Sequence, residues 1–140
     1  MLGQNTCGTM IKHIHDDLEK SANNAMRKNK ITMTQCTALL IIDNRIDKQM
    51  TLKDLEYELR VAQSTAAGVV SRLEQKGLVE SFSSPSDKRI KMLRITSSGS
   101  DCCKTAYQEM QKAEDMLLSG LTKTEQEIFL SLLKKVSDTI

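Results

Sequence analysis

Two groups of side chains in this 140-residue chain have types and spacing suited to reading a polyanion rather than to making or breaking bonds. The first is Gln63-Ser64-Thr65, three hydrogen-bonding side chains followed by the small Ala67 and Gly68. Amides and hydroxyls in a row can meet base edges or phosphate oxygens, and a helix face without bulk can press against a groove floor. The second is Asp87-Lys88-Arg89, which ends a serine-rich stretch holding Pro85, the only proline of the chain. Cations at an exposed turn suit a phosphate backbone or a narrow minor groove. The plain alternatives are a helix made small so that a neighbour can pack closely, and an ordinary solvated turn.

Chemistry elsewhere is thin. His13 and His15 are two residues apart. On a helix each residue turns about 100°, so these rings point apart and cannot share one metal ion without distortion. Ordinary surface histidines are therefore favoured over a metal site. The four cysteines do not form a disulfide framework, and two of them are adjacent, which suits a reducing, cytoplasmic setting. Cys7 precedes an expected helix start, mildly supporting a reactive thiol. Cys36 sits in an apolar run and reads as a small packed hydrophobe. Of Cys102 and Cys103, one faces an apolar seam and one faces out. There is no glycine-rich phosphate loop, Cys-x-x-Cys pair or nucleophile elbow. An enzyme is the least expected class, and no cofactor is expected.

The elements that must position the two groups follow from periodicity. Thr51 with Asp54 fits a helix N-cap with an acid at the third helical position. Leu52, Leu55 and Leu59 then give that short helix one apolar face. The chain breaks near Arg60-Val61-Ala62. A second helix begins near Gln63 and ends by Gly77, a C′ glycine after Lys76. Its core face is Ala66, Val69, Val70 and Leu73, which leaves Gln63, Ser64, Thr65, Ala67, Gly68, Ser71 and Arg72 outward. Residues 78–82 and 90–96 read as two strands, with Lys88 and Arg89 at the tip of the loop between them. Two close helices followed by a β-ribbon have the order of a winged helix-turn-helix, a shape that places a helix in the DNA major groove.

The segment resembles the MarR family of bacterial transcription regulators. The residues that carry the resemblance are Leu55 and Leu59, Gln63-Ser64-Thr65, the run from Val69 through Arg72-Leu73-Glu74-Gln75-Lys76-Gly77-Leu78-Val79, then Asp87-Lys88-Arg89, then Leu93-Arg94-Ile95-Thr96-Ser97-Ser98-Gly99. The resemblance implies that Gln63, Ser64 and Thr65 open the recognition helix, that Arg89 enters the minor groove, and that Asp87 braces the wing by pairing with a basic residue, for which Arg72 is the expected partner. Thr51, Ala67, Arg72 and Lys88 complete the expected DNA-binding set. Two departures stand out. Gly68 occupies a position where many members carry a long, often basic side chain. Ala62 stands where the family often has a capping Ser or Asn, which leaves that helix start about 1 kcal/mol less secure.

The rest of the chain supplies the scaffold. Net charge is +2, so the placement of cations, not their sum, argues for nucleic acid. No Trp, two Tyr and two Phe make a stacking platform for single strands or RNA unexpected. No apolar run is long enough to span a membrane, and the start lacks a signal-peptide core. Residues 1–8 read as a loose start, followed by a first helix over 9–28 with Met10, Ile11, Ile14, Leu18, Ala22 and Ala25 on its apolar side. Thr32 and Gln35 form a capping box before a central helix carrying Ala38, Leu39, Ile41, Ile42 and Ile46. A short strand at Gln49-Met50 is placed to pair with the wing. Thr96 caps a long helix ending near 119–120, with Cys103, Ala106, Met110, Ala113 and Leu117 as its seam. Thr122 and Glu125 box the last helix, whose apolar face is Ile128, Phe129, Leu132, Leu133, Val136 and Ile140.

The expectation is thus a mainly α chain with a small β-hairpin wing, divided into an N-terminal dimerisation helix (1–31), a winged helix-turn-helix DNA-binding lobe (32–97; recognition helix about 63–76, wing about 79–96) and C-terminal dimerisation helices (98–140). The function expected is a homodimeric regulator of transcription, a repressor rather than an activator. It binds a pseudo-palindromic double-stranded operator and is released by a small-molecule effector or an oxidative signal. The rival readings are a winged helix that binds protein without specific DNA recognition, and a thiol-based redox sensor of the same fold.

Overall fold

The computed structural model describes residues 5–140. Six helices and three strands follow in the order α1 (Cys7–Lys28), α2 (Met33–Asp43), β1 (Gln49–Thr51), α3 (Leu52–Leu59), α4 (Gln63–Gln75), β2 (Val79–Ser83), β3 (Lys91–Ile95), α5 (Ser97–Leu117) and α6 (Lys123–Thr139). The strands form one antiparallel sheet in the order β1-β3-β2. β1 pairs with β3 through Met50 opposite Leu93, and β2 pairs with β3 through Val79 opposite Ile95. This is a winged helix-turn-helix, with the short strand expected at Gln49-Met50 forming the third strand.

Helix starts follow local side-chain chemistry. Thr32 and Gln35 form a reciprocal capping box on α2, as Thr122 and Glu125 do on α6. The Thr51 hydroxyl accepts from the Asp54 amide, and that of Thr96 from the Gly99 amide. α1 begins two residues earlier than the apolar spacing predicts, because Thr6 caps it by accepting from the Thr9 amide. The first four positions of the expected loose start lie outside the described residues. α4 has no side-chain cap at Ala62. It ends at Lys76, and Gly77 takes a left-handed φ of 72°, which a glycine adopts without steric cost.

The core lies where α2 meets the winged segment and the first half of α5. Leu39, Ile42, Leu55, Val70, Leu73, Leu93 and Cys103 are its largest fully enclosed side chains. Ile46 is a correction: it stands fully exposed because α2 stops at Asp43 and the chain turns away through Asn44. The α5 seam is also only half covered. Cys103 and Ala106 are buried, whereas Met110 and Leu117 are exposed. No residue of α1 or α6 is buried. Ile128, Leu132, Leu133 and Val136 of α6 lie open, and an apolar groove lined by Leu18, Ala22, Met26, Ala106, Met110 and Ala113 runs between α1 and α5.

One contact fixes how α5 leaves the sheet. Gly99 is buried in the first turn of α5, against the backbone of Leu78 and the side chain of Ile95. The Thr96 amide donates to the Leu78 carbonyl at 3.1 Å, and the Thr96 hydroxyl donates to the Gly77 carbonyl at 2.7 Å. The end of α4, the start of β2 and the start of α5 are therefore joined at one point.

Candidate nucleic-acid interface

α4 is held by one face and free on the other. Ala66, Val70 and Leu73 are fully enclosed, and Val69 is half-buried. Successive residues turn by about 100°, so the centre of the opposite face is the row Ser64, Gly68 and Ser71. Gln63 and Ala67 flank it on one side, Thr65 and Arg72 on the other. Gln63, Ser64, Thr65, Gly68, Ser71 and Arg72 are exposed, and Ala67 is half-buried. A Cβ built on Gly68 meets nothing within 4 Å. This glycine is therefore not there for a close packing partner, and the plain alternative to a groove-facing role loses its support.

The wing tip is built by a local turn. The Ser84 amide donates to the Ile90 carbonyl at 2.9 Å, and the Asp87 carboxylate accepts from the Arg89 backbone amide at 3.0 Å. The same carboxylate takes two bonds from the Arg89 guanidinium, Nε to Oδ1 and Nη2 to Oδ2, both 3.1 Å. These bonds hold the Asp87 carboxyl below its ordinary pKa. The expected brace between Asp87 and Arg72 is thus corrected: the carboxylate is paired within its own turn, by a neighbour that both backbone and side chain bring to it. Arg89 nevertheless stays 91% exposed, and Lys88 is exposed beside it.

Most other cations of the segment are engaged. Arg45 pairs with Glu58 at 2.7 Å, and Lys48 with Asp43 at 3.0 Å. Lys91 lies 3.8 Å from Glu74, linking β3 to α4. Arg94 reaches Glu80 at 3.4 Å and lies over the Phe82 ring. Among the described residues, Lys53, Arg60, Arg72 and Lys88 have no such ion pair, and all four are exposed.

Lys76 is a residue that the sequence pattern did not single out. Its ammonium donates to the Lys30 carbonyl at 2.6 Å and to Gln35 Oε1 at 2.9 Å. It clamps the end of α4 to the turn between α1 and α2, where Lys30 takes a left-handed φ of 57°. A partner 46 positions away leaves no periodic trace in the sequence. Thr51 is half-buried and uses its hydroxyl oxygen as the α3 cap, which leaves its O–H available as a donor.

The remaining candidates are dispersed. His13 and His15 are both exposed on α1, and His15 lies 3.5 Å from Glu19. Cys7 is exposed as the first residue of α1, rather than preceding it. Cys36 is buried, as expected. Burial pushes its thiol pKa up, and that of Cys103 up to about 12, with Asp43 adding to the Cys103 shift. Cys102 does not face out as expected. It is half-buried, and desolvation raises its pKa as well. Thiols so shifted are poor nucleophiles at neutral pH. No described helix is long and apolar enough to cross a membrane.

Residues 31–91 match the profile of the MarR family. The chain is 35% identical over 80 residues to an uncharacterized HTH-type transcriptional regulator, YwaE, of Bacillus subtilis; the match takes in 57% of this chain and 47% of that protein. The chain thus spans about half the length of that relative. A mutant of Staphylococcus aureus MepR superposes with a TM-score of 0.88 at 22% identity, over 96% of this chain and 98% of that one. A mutant of Escherichia coli MarR in complex with operator DNA superposes with a TM-score of 0.69 at 28% identity, over 92% and 91%.

Proposed function

We propose that this chain, whose residues 31–91 match the MarR family profile, is a homodimeric regulator of that family that binds a pseudo-palindromic double-stranded operator and represses transcription until an effector releases it. The observation that carries this reading is the pairing of a bare, solvent-facing α4 with an exposed Arg89 on the wing. A helix in the major groove and a cation in the adjacent minor groove use both features at once. The proposed division is a DNA-binding lobe over 32–97, with 1–31 and 98–140 forming the dimer. Gln63, Ser64, Thr65 and Ala67 meet the major groove. Thr51, Arg72 and Lys88 meet phosphates, and Arg89 meets the minor groove. Asp87 holds Arg89 in place.

Dimerisation is supported by the open apolar face of α6 and the groove between α1 and α5. A 17-residue helix with no buried side chain gains little from propensity alone, so a second copy is its natural cover. Two recognition helices so joined would meet half-sites about one helical turn apart. An effector acts on such a dimer only by preferring the spacing that does not fit DNA. The family consists of transcription regulators, and the face described here offers hydrogen bonds and charge without a nucleophile and base in contact. Binding rather than catalysis is accordingly proposed, in the cytoplasm.

The test is a gel shift on the DNA upstream of the protein's own gene, with wild type and Arg89→Ala across a salt series. Specific binding that falls steeply with salt, and falls further in the variant, is expected, because phosphate contacts release counterions. Binding no better than to random DNA, with the variant indistinguishable, would favour a winged helix that docks on protein.

A further inference from the structure

The outward face of α4 is unusual in what it lacks. Between Gln63 and Ser71 there is no Lys or Arg. The central row Ser64, Gly68, Ser71 is exposed and small throughout, and the space above Gly68 is empty to 4 Å. The cation nearest the end of the helix, Lys76, is tied to Lys30 and Gln35. Arg72, the only cation within α4, stands two turns beyond Ser64 and on the flank of the face.

These features bear on which bases the helix can read. Guanine is read chiefly by a bidentate Arg or Lys on its O6 and N7, adenine by a bidentate Asn or Gln on N6 and N7, and the thymine methyl by small apolar surface. In the first two turns of α4 the only side chain with a bidentate amide is Gln63. The small surfaces are the Thr65 methyl, Ala67 and the bare Gly68. A thymine 5-methyl projects into the major groove and fits where a Cβ is missing. A guanine in the same place would present two acceptors to a surface with no cation, whose donors are hydroxyls and the single Gln63 amide.

We infer that each operator half-site is A·T-rich beneath the first two turns of α4, with Gln63 on an adenine edge and thymine methyls packed against Thr65, Ala67 and Gly68. Arg72 is left for a phosphate. The inference rests on the regulator reading above and adds to it the base composition that the recognition helix selects.

The experiment is selection of bound duplexes from a random library by the full chain at one salt concentration, followed by affinity titrations on the selected site. Half-sites with A·T pairs under the helix are expected. Replacing thymidine by deoxyuridine there removes only the methyl, and should weaken binding about three- to tenfold. Inosine·cytosine pairs present a G·C pattern in the major groove while keeping the A·T pattern of the minor groove. They should cost about ten- to a hundredfold, the range of a lost specific base contact, and Gln63→Ala should erase the preference at its own base pair. G·C pairs selected under the helix would overturn the inference, as would deoxyuridine and inosine·cytosine duplexes that bind like the parent. In both of those results the regulator reading stands. Failure to select any sequence would overturn that reading, and this inference with it.

Discussion

Two glycines of the chain should respond to the same substitution with opposite signs. A Cβ on Gly99 collides with the Leu78 carbonyl oxygen and lies 2.6 Å from Ile95 Cγ1, against an ordinary carbon–carbon separation of about 3.5–4.0 Å. The Leu78 carbonyl cannot swing aside cheaply, because it accepts from the Thr96 amide, and the preceding Gly77 carbonyl accepts from the Thr96 hydroxyl. Relief therefore requires backbone movement at the junction of α4, β2 and α5. Overpacking of a core typically costs about 1–3 kcal/mol, and with backbone as the obstacle Gly99→Ala should fall at the top of that range, about 3 kcal/mol. Gly68→Ala meets nothing and removes a helix-interior glycine, so it should stabilise by about 0.5–1 kcal/mol. For a chain of this size 1 kcal/mol corresponds to roughly 3–5 °C in Tm, so the two variants should melt more than about 10 °C apart. Thermal and urea unfolding followed by circular dichroism at one fixed protomer concentration measure the two variants, since association would otherwise shift the midpoints. A Gly99→Ala variant as stable as wild type would refute the packing argument. A destabilised Gly68→Ala would refute the claim that the outer face of α4 is unpartnered.

Four further outcomes follow from individual contacts. Because Arg89 depresses the Asp87 pKa, their pairing contributes stability above the ordinary aspartate range and loses it as pH falls through the lowered value; the Arg89 Nε–H resonance should be constant between pH 5 and 8 and shift only in acid. Cys7 is exposed while Cys36 and Cys103 are buried, so a thiol reagent at pH 8 should label native protein rapidly at Cys7, and Cys7→Ser should abolish that fast phase. Ala62→Ser should add the missing cap of α4 and raise stability by about 1 kcal/mol, read as a higher urea midpoint with unchanged slope. Lys76→Met removes two hydrogen bonds but leaves Gln35 Oε1 bonded to the Thr32 amide, so it should cost about 1 kcal/mol rather than the larger penalty of an orphaned acceptor. A loss above about 3 kcal/mol would contradict that reasoning.

What could be read from sequence was what local chemistry decides. The caps at Thr32, Thr51, Thr96 and Thr122 need only partners three residues away, and all four form. The three enclosed residues of α4 follow from helical period alone. Expectations failed where two local rules competed or where the partner was distant. Ile46 continues the spacing from Ile42, but the helix has already ended. Arg72 is the partner that the sequence reading assigns to Asp87, whereas the local turn brings Arg89, two residues away, to that carboxylate. The Lys76 clamp joins segments whose proximity only the folded chain establishes. On α5 the spacing marked which residues share a stripe but could not say where the core stops, which happens after Ala106.

Fold and proposed recognition are nearly separable on α4, and the separation has a physical basis. Ala66, Val70 and Leu73 surrender all of their surface to the core, so the helix is fixed in rotation and depth without help from its outer residues. Its ends are fixed unequally. The C-terminal end is joined to the α1–α2 turn by Lys76, to β3 through Glu74 and Lys91, and to α5 through Leu78. The N-terminal end, where Gln63, Ser64 and Thr65 lie, has no side-chain cap at all. The end proposed to meet bases is therefore the less constrained end of the helix, and the end that meets the rest of the protein is the more constrained. A change in how α1 and α5 sit would act on α4 through its C-terminal anchors. Its largest displacement would appear at the uncapped N-terminus, the place where, on the proposed reading, a small shift would alter a hydrogen bond to a base.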